Sequence, residues 1–146
     1  VVRWGGDEFL LLCRDLDITA AAELAERVRS SVSKQIFRVG EGAATRTSCS
    51  VGFAVFPFVP EVPDRSGWEE SLAMADAALY QAKRLRNAWV GWRGTSRIAA
   101  LDSLADAVER YATALEEGGY IEVYRPPPRH DETVDRLRVL GGPADR

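Results

Sequence analysis

Two glycines, Gly5-Gly6, stand between two apolar runs, Val1-Val2-Arg3-Trp4 and Phe9-Leu10-Leu11-Leu12-Cys13. A Gly-Gly or Gly-Asp pair in that position supplies the positive φ of a tight turn, so the runs fold back on each other as a hairpin. Phe9 is expected to anchor the second strand in the core. The loop Asp15–Thr19 follows, with Asp17 and Thr19 as alternative helix caps. From about Ala20 to Ile36, Leu24, Val28, Val32 and Ile36 recur every four residues and predict an amphipathic helix. A turn over Gly40–Thr45 leads to a strand over Thr47–Phe56, which Pro57, Pro60 and Pro63 end. Ser66-Gly67-Trp68-Glu69 has capping-box form. It opens a helix over Trp68–Leu85, with Leu72, Ala75, Leu79 and Ala82 facing inward, and Ala88–Trp92 reads as a strand. The order β-β-α-β-α-β predicts an α/β (α+β) fold, a sheet flanked by helices.

Composition shifts at Gly94. Residues 96–117 predict an amphipathic helix with Ile98, Leu101, Ala105, Val108 and Leu115 on one side, stopped by Gly118-Gly119. Tyr120–Tyr124 reads as a short strand, Pro126-Pro127-Pro128 as a stiff spacer, and Thr133–Leu140 as one or two helical turns. The expected division is a first unit over 1–93 and a C-terminal extension over 94–146, whose role the sequence leaves open.

The 146 residues carry 19 Lys+Arg against 22 Asp+Glu, a net charge of −3. That balance excludes a disordered acidic tail and argues against a nucleic-acid binder acting through a basic face. No run approaches the ~20 apolar residues that span a bilayer. With no signal-like start either, a cytoplasmic location is expected. Cys13 and Cys49 lie in strand-like runs and are expected as buried, reduced thiols. His130 has no Cys or second His nearby to make a metal site. The chain starts at Val1, inside a strand, which suggests a cut chain whose pairing partner is missing.

The chemistry concentrates in two stretches. In Gly5-Gly6-Asp7-Glu8-Phe9, the glycines let a ligand approach the backbone, and two adjacent carboxylates at a bend suit Mg²⁺, which takes one or two carboxylates plus phosphate oxygens. Solvated acids in a plain turn would read the same way. The second stretch is the helix end Lys83-Arg84-Leu85-Arg86, where cations complement the dipole in any case and where they could also clamp phosphates.

Taken together, the bend GGDEF, the strand Ser48-Cys49-Ser50-Val51-Gly52-Phe53-Ala54 against a T-x-S-x-G-x-A pattern, and the helix Ala75-Asp76-Ala77-Ala78-Leu79-Tyr80-Gln81-Ala82-Lys83 against A-D-x-A-L-Y-x-A-K resemble the GGDEF family of diguanylate cyclases. The resemblance covers about Arg3 to Trp92, the C-terminal half of that domain. It implies a sheet akin to nucleotide cyclases and polymerase palms, and the condensation of two GTP into cyclic di-GMP with release of pyrophosphate. It also implies Mg²⁺ or Mn²⁺ as cofactor and a homodimer in which each domain brings one GTP. Carried over residue by residue, Gly5 and Gly6 border the phosphates, Asp7 and Glu8 serve metal binding and activation of the attacking hydroxyl, and Lys83 and Arg86 hold terminal phosphates. Arg27 stands where a product-inhibition arginine often occurs. The family's helix ending A-K-x-x-G-R-N is here one residue short and lacks its Gly. With the N-terminal part of the domain missing, the chain alone is expected to make no product. The alternative is a catalytically inactive module that binds GTP, cyclic di-GMP or a protein partner.

Overall fold

The computed structural model describes residues 1–40, 42–100 and 113–127. β1 (Val2–Gly5) and β2 (Glu8–Leu10) form the expected antiparallel hairpin, Arg3 facing Phe9 and Gly5 facing Glu8, with an irregularity between Arg3 and Gly5. The pair makes a two-stranded sheet of its own. Phe9 is consequently not a core anchor: it is 62% exposed. Cys13, beyond the shortened second strand, is exposed as well, and Cys49 is only partly buried, so neither thiol sits in the interior as expected.

α1 spans Ile18–Lys34. Asp17 is its cap, with Oδ1 accepting from the Ala20 N–H at 2.7 Å, which decides between the two candidate caps. The helix stops two residues before Ile36, where the Gln35 N–H closes onto the carbonyls of Ser31 and Val32. Ile36 is left exposed, outside the apolar face assigned to it. The segment read as a bare turn is a small hairpin, β3 (Phe37–Arg38) with β4 (Ala44–Thr45). Only the centre of the next predicted strand is extended in a sheet, as β5 (Val51–Ala54).

α2 spans Trp68–Leu85. Its cap falls one residue later than Ser66: Gly67 opens the helix, and the Glu70 carboxylate reaches back to accept from the Gly67 N–H at 3.0 Å. The buried stripe is Ser71, Met74, Ala78 and Ala82, rotated from the predicted one. The reason lies in β5. A Cβ at Gly52 would stand 2.1 Å from the Leu79 nitrogen and 2.4 Å from the Ala75 carbonyl oxygen, so α2 seats backbone to backbone on that glycine. Its 74/78/82 edge then turns into the core.

β6 (Trp89–Gly94) pairs parallel with β5, Gly52 beside Val90, and antiparallel with β7 (Ile121–Tyr124), Trp92 beside Val123. The strand read after Gly94 therefore belongs to the same sheet, in the order β5-β6-β7. Phe58, Val59, Met74, Ala78, Val90, Trp92, Ile98, Leu115 and Ile121 share one hydrophobic cluster. The helical residues 113–117 end as the glycine pair predicts. Gly119 takes φ 68°, its N–H reaches the Glu116 carbonyl at 3.0 Å, and the Tyr120 N–H reaches that of Leu115 at 2.9 Å. Ser96–Ala100 is a 3₁₀ turn. Leu101, Ala105 and Val108, His130 and the segment Thr133–Leu140 lie outside the described residues.

Candidate functional site

Gly6 takes φ 53° in the two-residue bend between Gly5 and Glu8, a conformation that costs a side-chain-bearing residue about 1–2 kcal/mol. The Arg3 guanidinium clamps the bend by donating through Nε and Nη2 to the Gly6 carbonyl oxygen, at 3.0 and 2.7 Å. Beside Gly5 and Gly6, the space a Cβ would fill holds no atom within 4 Å. A ligand can therefore approach the backbone here. Asp7 lies in the bend and Glu8 opens β2, putting both carboxylates at one corner of the hairpin.

Lys83 comes from the last turn of α2. Its Nζ donates to Glu8 Oε1 at 2.5 Å, joining residues 75 positions apart. Both side chains stay open to solvent, 51% exposed for Lys83 and 39% for Glu8. The hydrogen bond it donates to Glu8 raises the Lys83 pKa above its ordinary value, with further attraction from Glu8, Asp7 and Asp76. Two hard carboxylates thus face a cation across an open corner. Among the described residues no group of three or more His, Cys, Asp or Glu side chains could hold a metal ion. Asp7 and Glu8 fit a metal that takes its remaining ligands from phosphates and water, as Mg²⁺ does, and they do not make a closed protein cage.

Arg86 is the C-cap of α2, at φ 55° and ψ 137°, with its side chain exposed. Arg27 lies elsewhere. It lines an open groove of about 470 Å³ with Thr19, Glu23, Glu26, Ser30 and Trp89, none of which belongs to the bend or to α2.

The T-x-S-x-G-x-A stretch gains a structural meaning. Ser50 Oγ donates to the Ala82 carbonyl at 3.2 Å, and Gly52 admits the α2 backbone, so both residues seat the helix that carries Lys83. Sequence reasoning missed a second support. Arg29 is buried on α1 and pairs with the Glu26 carboxylate through Nε and Nη2, while its Nη1 donates to Asn87 Oδ1 at 3.0 Å. The Trp89 indole N–H donates to Glu26 at 3.1 Å. The Glu26 hydrogen bond raises the Arg29 pKa, and burial raises that of Cys49 against the attraction of Arg29. The one signal in sequence is that Ala25, Arg29 and Val32 share a helix face, where an arginine is out of place unless paired.

The fold is mixed α/β, and it sets a Gly-Gly-Asp-Glu bend against the cationic end of a helix, as expected of the nucleotide-cyclase-like class that the resemblance to the GGDEF family implies. The chain belongs to the GGDEF family: residues 1–88 match the family described as "Diguanylate cyclase, GGDEF domain". It is 36% identical over 84 residues to diguanylate cyclase DosC of Escherichia coli K12, covering 58% of this chain and 17% of that protein. It is 34% identical over 103 residues to diguanylate cyclase TpbB of Pseudomonas aeruginosa, covering 70% of the chain and 21% of that protein. With the bifunctional diguanylate cyclase/cyclic di-GMP phosphodiesterase MucR of P. aeruginosa it shares 31% identity over 127 residues, 86% of the chain and 17% of MucR, a match that runs past residue 88. The chain spans about a fifth or less of the length of these relatives. No solved structure matches it. No helix among the described residues is long and apolar enough to cross a membrane.

Proposed function

We propose that the chain carries the metal- and phosphate-binding part of a cytoplasmic diguanylate cyclase, which condenses two GTP into cyclic di-GMP with release of pyrophosphate. The supporting observation is the 2.5 Å contact of Lys83 with Glu8, which puts the GGDEF bend and the cationic end of α2 on one volume. Gly5 and Gly6 would leave the backbone open to the phosphates. Asp7 and Glu8 would hold Mg²⁺ or Mn²⁺ together with phosphate oxygens. Lys83 would exchange its bond to Glu8 for the terminal phosphates, and Arg86 would assist it. When bound, the metal supplies charge neutralisation and a more acidic attacking hydroxyl. A homodimer would bring the two nucleotides face to face, and Arg27 would contact the product during inhibition.

Among the described residues the bend offers a metal two carboxylates and no third joins them, so we expect the isolated chain to bind nucleotide and not to turn it over. A second reading, a module that binds GTP or cyclic di-GMP as a receptor, is favoured by one observation: α2 ends in a strained Arg86 where the family pattern has an additional residue and a glycine. Product analysis of the whole parent protein separates the two.

The direct test is calorimetric titration of the chain with a non-hydrolysable GTP analogue and Mg²⁺. Glu8→Gln should weaken binding about tenfold or more, since hydrogen bonds and contacts to charged groups are worth about 1.5–3 kcal/mol. The exposed Lys83–Glu8 pair contributes under about 1 kcal/mol to stability, so the melting temperature should hardly move. Equal affinity for wild type and Glu8→Gln would refute the assignment.

A further inference from the structure

We propose that Arg29 is a positioning residue: bridging Glu26 and Asn87, it holds the phosphate-facing end of α2 in place. The inference rests on the proposed phosphate role of Lys83 and Arg86. Arg86 and Asn87 follow one another at φ 55° and 45°; asparagine tolerates this left-handed region, whereas arginine does not favour it. Such an exit turn persists only where its surroundings hold it. Two bonds from outside the helix do so. Ser50 takes the Ala82 carbonyl, just before Lys83, and Arg29 takes the Asn87 side chain, just after Arg86. Lys83 and Arg86 stand between these two points.

Arg29 is suited to be the fixed end. It is 8% exposed, and its guanidinium is forked onto Glu26, which also accepts from the Trp89 indole on β6. A planar donor held by a carboxylate has little rotamer freedom left to lose, so its third bond fixes Asn87 at small entropic cost. Through this network, α1 and β6 set where the cationic end of α2 points, although Arg29 touches neither the GGDEF bend nor a phosphate.

The test uses the intact chain with inorganic tripolyphosphate and Mg²⁺ as probe. Arg29→Met and Asn87→Ala are made singly and together, affinity is read by calorimetry, and amide resonances are read without ligand. Each single variant should weaken tripolyphosphate binding about tenfold, and the double variant no more than the weaker-binding single one, because both variants delete the Arg29–Asn87 bond through which the positioning runs. The ligand-free Lys83 and Arg86 amide resonances should move in both. Trp89→Phe, which removes the indole N–H to Glu26 together with part of the buried ring system, should give a smaller loss in the same direction, and it serves if Arg29→Met does not fold. Additive losses, or wild-type affinity with a lowered melting temperature, would overturn the proposal and leave Arg29 a structural residue. If the wild-type chain binds no tripolyphosphate, the phosphate-holding reading falls by itself. The ligand-free spectra then decide: moved Lys83 and Arg86 resonances sustain the positioning role, and unmoved ones end it.

Discussion

Arg86 shows how one residue can disagree with its backbone. At the end of a helix, a residue with positive φ is ordinarily glycine, which carries no Cβ to strain against the carbonyl. Arg86 takes φ 55° with ψ 137°, outside even the left-handed helical well, and conformations of that kind cost about 1–3 kcal/mol. Arg86→Gly should therefore raise stability by about 1 kcal/mol, seen as a higher urea midpoint at an unchanged slope. A lower midpoint would mean that the arginine side chain makes a stabilising contact. Asp17 is the opposite case. Its carboxylate meets the Ala20 N–H as a capping residue should; the interaction spans three residues, so the sequence narrows the cap to Asp17 or Thr19 and the structure selects Asp17.

At the scale of elements, the decisive contact is α2 on β5. Gly52 stands at 2.1 Å from helix backbone, measured from the Cβ it lacks, and a main-chain nitrogen cannot swing aside as a side chain can. Gly52→Ala should cost about 3 kcal/mol or more in chemical denaturation. Gly5→Ala, with open space around it, should stay within about 0.5 kcal/mol. Comparable losses at the two positions would contradict the close seating of α2. Helix periodicity gives the existence and length of α2 almost to the residue. It puts Ala75 and Leu79 on the side that meets β5 but misses Met74 and Ala78 in the core, because 3.6-residue repetition states which residues share a face and not how far around the helix the covered surface extends. The hairpin over Phe37–Thr45 escaped notice for a related reason: its strands are two residues each, too short to show alternation.

Across the described residues, four groups share a direction. Burial raises the pKa of Cys49 and of Tyr124, the hydrogen bond to Glu8 raises that of Lys83, and the hydrogen bond to Glu26 raises that of Arg29, which stays charged throughout. Each therefore binds its proton more tightly in the folded chain than in the unfolded one. Such groups contribute fully below the unfolded pKa, and the contribution is lost as pH rises through the folded value. The melting temperature should be flat near neutrality and fall as pH climbs above about 9, the range where ordinary thiols, phenols and ammonium groups titrate. Cys49→Ser should flatten the first part of that fall. A melting temperature that rises between about pH 9 and 11 would contradict the assignment.

What the sequence by itself determined is what local rules determine: the bend at Gly5-Gly6, a capping residue at Asp17 or Thr19, the two helices, the stop at Gly118-Gly119, and the motif set that marks the GGDEF family. These depend on φ preferences, capping groups and periodicity, all acting within a turn or two of the chain. Only the tertiary structure decided which surfaces are covered. It left Phe9 and Cys13 exposed, because β1 and β2 pair with each other alone, and it drew the strand after Gly94 into the sheet beside β6. It also brought Lys83 to Glu8 across 75 residues and Arg29 to Asn87 across 58. Such meetings follow from how α1, α2 and the β5–β6 strands dock, and docking is set by the shape of the packed elements together, a quantity that no short window of sequence contains.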